Sequence, residues 1–169
     1  IFMIITKTSG NLAQGTFEGK TIDYLHLDYT DAQKSILRAN TAGGRDMAIR
    51  LDLETKRRGL RDGDVLWEDG DTIVVVAIEP AEVVLVSPGS YAELAQCCYE
   101  VGNRHAPLYY FTDPTRPDGV PKLAVLRDGA MDDLFAKLGV PHETCFLKLD
   151  ESARLKLVTG AHHHHHDHD

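Results

Sequence analysis

The sequence is short of cysteine, of positive charge and of long apolar runs, and each shortage removes a class of protein. Three cysteines, Cys97, Cys98 and Cys145, cannot pair completely, and a bridge between the adjacent two is badly strained. That speaks against a secreted disulfide scaffold and for reduced thiols. The longest apolar run, at 73–78, is far below the roughly 20 residues needed to cross a bilayer, and no basic, apolar, small-residue leader precedes it. The expectation is a soluble, cytoplasmic chain with no membrane partner. Lys and Arg number 18 against 26 Asp and Glu, a formal net charge of −8. Nucleic acid is therefore not an expected partner, since phosphate neutralisation needs clustered cations. No HExxH motif or paired acidic cluster occurs, so a metallohydrolase lacks its positioned base.

What is present is an ordinary globular composition, 43% hydrophobic and 26% charged over 169 residues. Up to residue 78 the signals are those of short strands. Leu25, Leu27 and Tyr29 alternate with His26, Asp28 and Thr30, and Met47, Ile49 and Leu51 alternate with polar neighbours. Gly43-Gly44, Asp62-Gly63 and Asp69-Gly70 supply turns. The one basic knot, Lys56, Arg57, Arg58 and Arg61, reads as a solvated loop or as a docking patch for an acidic partner.

Around Glu79-Pro80-Ala81 the pattern changes, because a proline between two apolar strands suits a domain joint. Strands are expected at 83–86, 108–111, 123–126 and 145–149, with helices from Ser90 to about His105 and over 131–138. That order is β-α-β-β-α-β, a ferredoxin-like unit. Ser90 with Glu93 three residues on reads as a capping box, and Gly139 as a helix C-terminus. The expected architecture is α+β: a β domain over 1–79, a ferredoxin-like domain over 80–150 and a flexible histidine-rich tail over 151–169.

The tail carries the strongest chemical signal. His162, His163, His164, His165, His166 and His168 offer neutral imidazoles, good donors to nickel, copper and zinc. Asp167 interrupts the run, unlike the unbroken histidines of a purification tag. Wrapping an ion with such a chain costs conformational entropy yet lets ligands leave one at a time, which suits capture and transfer. Imidazole must also be deprotonated to bind, and its ordinary pKa near 6.5 makes release acid-sensitive.

His105 is a different kind of histidine. It continues a helical stripe of Tyr91, Leu94, Ala95, Cys98, Val101 and Gly102, and Pro107 disfavours helix at Ala106. Spacing alone favours a packed core or interface histidine over a ligand. Cys98 is about 10 Å away along the axis, too far to act as its nucleophile. Cys97 and Cys98 read as small buried hydrophobes. Any co-ligand for His105 must come from a symmetry mate or from the tail. Gly102, about 1 kcal/mol worse than Ala inside a helix, suits a close backbone approach by a two-fold partner. His26 and His142 read as exposed residues without a role.

The stretch Cys98-Tyr99-Glu100-Val101-Gly102-Asn103-Arg104-His105, followed by Pro107-Leu108, resembles the signature of the UreE urease accessory protein family. Met3-Ile4-Ile5, Asp46-Met47-Ala48-Ile49-Arg50-Leu51, Gly63-Asp64-Val65-Leu66 and the histidine tail extend the likeness in the same order. The resemblance implies a homodimeric nickel metallochaperone rather than an enzyme, delivering Ni(II) for urease maturation. It places the histidine equivalent to His105 on the dimer two-fold, where it binds nickel with its mate. Tail histidines, His162 first, complete the shell. Zn(II) or Cu(II) can substitute on such ligands. The implied partners are the GTP-binding protein UreG and the apo-urease maturation complex. An auxiliary histidine pair of some members has no counterpart at 122–133. The alternative function is a non-enzymatic adaptor or peptide-binding module whose histidine tail is an artefact.

Overall fold

The computed structural model describes residues 4–156. In the first domain, β1 (Ile4–Ile5), β5 (Asp46–Arg50) and β4 (Ile36–Asn40) form a three-stranded sheet. A second sheet has the order β2 (Gly10–Asn11), β6 (Asp64–Asp69), β7 (Thr72–Ile78), β3 (Thr21–Leu27). Gly70, at φ 55°, turns β6 into β7, a backbone that a side chain would strain. Two short helices interrupt the strands. α1 (Tyr29–Ala32) begins where alternation suggested continued strand, because the Asp28 carboxylate accepts the Asp31 amide and caps a helical turn. α2 (Leu53–Arg58) is capped in the same way by Asp52 on Thr55, an interaction that holds the Asp52 carboxyl below its ordinary pKa. Leu25, Leu27, Met47, Ile49, Leu60, Val74 and Val76 fill the core of this domain.

The second domain follows the expected β-α-β-β-α-β order: β8 (Ala81–Val86), α3 (Tyr91–Asn103), β9 (Leu108–Phe111), β10 (Lys122–Leu126), α4 (Gly129–Leu138) and β11 (His142–Leu147). The sheet order β11-β8-β10-β9, antiparallel throughout, is the ferredoxin-like arrangement. The last strand starts three residues earlier than expected, so His142 lies in a strand and not in a turn. The helices cover one face of the sheet, where Val86, Leu123 and Val125 share a core with Met131, Leu134 and Phe135 of α4. Full burial of a side chain such as Phe135 contributes about 1.5–3 kcal/mol.

The other face of this sheet packs Val83, Tyr109, Ala124 and Leu149 against Tyr29 of the first domain. The Tyr109 hydroxyl lies 2.6 Å from that of Tyr29 and 2.9 Å from Glu151 Oε1. Burial is the largest cause that raises the pKa of this phenol. Lys148 adds an ion pair to Asp62 at 2.8 Å. The described chain continues to Lys156, past residue 150, where the tail was expected to begin. Glu151–Ala153 make a 3-10 turn, Arg154 bridges Tyr109 in antiparallel fashion, and the Leu155 amide donates to the Leu108 carbonyl at 2.8 Å. Backbone pairing along β9 takes the place of the apolar spacing that the sequence lacks here.

Candidate metal centre

The site begins with the end of α3. Ser90 caps its start by accepting the Glu93 amide at 3.2 Å, while the Glu93 carboxylate reaches past Ser90 to the Gly89 amide at 2.7 Å. The expected capping box is therefore only half formed. The buried seam of the helix is Leu94, Cys97, Cys98 and Val101. Tyr91, Ala95 and Gly102, counted in the apolar stripe, face outward, so the seam is turned toward Cys97. Burial pushes the Cys97 thiol up to about 11 and raises Cys98 too, which keeps both protonated and unsuited to nucleophilic work. Both therefore fit the reading as small hydrophobes.

His105 sits two residues beyond the helix, at φ 53°, the one non-glycine residue with positive φ among the described residues. Its amide donates to Gly102 O at 3.0 Å, and the Ala106 amide donates to Val101 O at 3.4 Å. This is a Schellman closure, in which the left-handed position is ordinarily glycine. α4 ends in the usual way, on Gly139 at φ 66°. A histidine in that backbone costs roughly 1–2 kcal/mol relative to the right-handed conformation. The turn is held by Arg104, whose Nη1 donates to Glu100 O at 2.7 Å and to Glu100 Oε2 at 2.8 Å, placing a cation where the helix dipole is negative. Ala106 and Pro107 then lead into β9. The result is an exposed imidazole on a strained, hydrogen-bonded turn.

His105 lies on the wall of a cleft of about 470 Å³ that Cys98, Gly102, Arg57, Arg154 and Lys156 also line. The other two described histidines are elsewhere. His26 Nδ1 meets Glu79 Oε1 at 2.5 Å, and His142 Nδ1 lies 2.8 Å from Val140 O, with its ring tilted on Phe135. Among the described residues no three His, Cys, Asp or Glu side chains gather to hold an ion. His162, His163, His164, His165, His166 and His168 lie outside the described residues. Sequence reasoning placed His105 at a helix end but missed its left-handed backbone. It also missed Arg154 and Lys156, which no motif ties to Arg57 a hundred positions earlier.

No helix among the described residues is long and apolar enough to cross a membrane. The N-terminal domain model of the UreE urease accessory proteins matches residues 5–79, and the C-terminal domain model matches 81–169. The chain is 38% identical over 157 residues to the urease accessory protein UreE of Helicobacter pylori strain G27, and likewise to that of Helicobacter acinonychis strain Sheeba. Each match covers 90% of this chain and 86% of the relative. The protein of Helicobacter bizzozeronii is 34% identical over 155 residues, covering 92% and 84%. The chain belongs to the UreE urease accessory protein family. It is an accessory chaperone of urease maturation and not an enzyme.

Proposed function

We propose that this protein is a nickel metallochaperone, in which one Ni(II) bridges His105 of two subunits and tail imidazoles complete the shell. The observation that carries the reading is the backbone of His105. A strained left-handed turn, where glycine would be easier, presents a solvent-exposed imidazole with no cluster of co-ligands around it among the described residues. Homodimerisation supplies the second ring. The outward face of α3 supports it, since Tyr91 and Tyr99 are 64% and 65% exposed and a Cβ at Gly102 meets nothing within 4 Å. Residues 80–150 are then the metal-binding and dimerisation domain.

The tail ligands are His162, with His163, His164, His165, His166 and His168 as substitutes. Lys156 brings the chain to the same cleft wall as His105, which supports their recruitment there. Imidazoles that leave one at a time release the ion to a better ligand set in the cytoplasm, through UreG to the apo-urease maturation complex. Zn(II) and Cu(II) occupy the same donors.

Calorimetric titration with nickel tests the reading. Deletion of residues 157–169 is expected to lower the stoichiometry to one ion per dimer, and His105→Ala to remove the tight component. A tight component retained in His105→Ala overturns the assignment. The adaptor alternative predicts no tight component in either protein.

A further inference from the structure

Cations from both domains converge beside His105. Arg57 and Arg58 come from the last turn of α2, and Arg154 and Lys156 from the segment that pairs along β9. Two of these charges are already balanced. Arg58 pairs with the buried Asp64 at 2.7 Å, and Arg154 with Glu151 at 3.3 Å. Arg57 and Lys156 are exposed and have no ion-pair partner among the described residues. Among the described residues Glu151 is the one carboxylate on the cleft wall. Two positive charges are therefore left unmatched among the described residues of a concave site, on a chain whose net charge is −8.

Like charges held around one cleft raise its potential, and low-dielectric walls focus it. The group that relieves this is an oxyanion. A guanidinium offers a planar fork to two oxygens, and an ammonium adds a point charge. The cleft, at about 470 Å³, is within the size range of small-molecule sites and holds far more than a chloride. We infer that this interdomain cleft binds a small, multiply charged oxyanion, a phosphate or a polycarboxylate. Arg57 and Lys156 grip it, and the pinned Arg58 and Arg154 frame it. The site goes beyond nickel binding and does not depend on it.

The test uses the full chain free of metal, so that its outcome is separate from that of the nickel experiments. Inorganic phosphate and citrate are titrated in turn, with chloride at equal ionic strength as reference, and amide NMR shifts are followed. Saturable binding of one anion per chain is expected, with shifts centred on Arg57, Gly102 and Leu155. Saturation by phosphate alone identifies the phosphate class, and saturation by citrate alone identifies the polycarboxylate. The double variant Arg57→Gln/Lys156→Gln is expected to weaken binding about tenfold, whereas Lys56→Gln, on the same helix but off the cleft wall, leaves it unchanged. Non-saturable shifts with both anions, or equal binding by the double variant, overturn the proposal.

Discussion

The Leu155 amide donates to the carbonyl oxygen of Leu108 at 2.8 Å, one residue past the antiparallel bridge that joins Arg154 to Tyr109. This pairing carries the chain along β9 to the cleft wall that also bears His105. Loop-closure entropy grows with the length of chain to be closed, so starting here keeps the cost of bringing a later imidazole to His105 small. A chain released at the far edge of the sheet would lack that advantage.

His105→Gly is expected to stabilise the metal-free protein while it abolishes the tight metal site. Glycine takes the left-handed turn at φ 53° without the Cβ clash. The gain is about 1 kcal/mol, or about 2–4 °C in Tm for a chain of this size. Thermal unfolding in the presence of a chelator measures it. A lower Tm would show that the imidazole supports the fold rather than burdening it.

Arg58→Ala is expected to be among the most damaging substitutions outside the apolar cores. It leaves Asp64, 1% exposed, with a buried carboxylate deprived of its guanidinium, although the Arg61 amide at 2.8 Å and Asn11 Nδ2 at 3.1 Å remain. Breaking such a pair from one side costs about 3 kcal/mol, and the partial exposure of Arg58 sets the low end of that range. Urea unfolding checks it through a lower midpoint at constant slope.

Cys97 is expected to resist thiol reagents at neutral pH. Burial, with smaller contributions from Cys98 and Glu93, raises its pKa from the ordinary 9.0 to about 11. The attacking species is the thiolate, so labelling should require unfolding. A raised folded-state value means that this contribution to stability is fully present below pH 9 and is lost as pH climbs toward 11. Rapid labelling of the native protein at pH 7, with the site identified by peptide mapping, would contradict this packing of α3.

Much of this architecture was legible because periodicity and turn chemistry agree. Ser90, Pro107 and Gly139 mark the helix limits of the second domain, and Gly70 marks a hairpin. The departures have local physical causes. Asp28 caps a turn where Leu25, Leu27 and Tyr29 suggested strand, and Tyr91, Ala95 and Gly102 of the apolar stripe face outward. His105 was legible as a residue but not as a conformation, since Schellman closures are signalled by glycine and this one has none. The cationic cleft was illegible, because only tertiary contact brings Arg57 to Lys156.

An anomalous difference map at the nickel edge, from crystals grown with one Ni(II) per two chains, tests the central claim most directly. A single strong peak shared by His105 and the partner's His105 is expected. A peak held by tail imidazoles alone, with the two His105 rings apart, would contradict it.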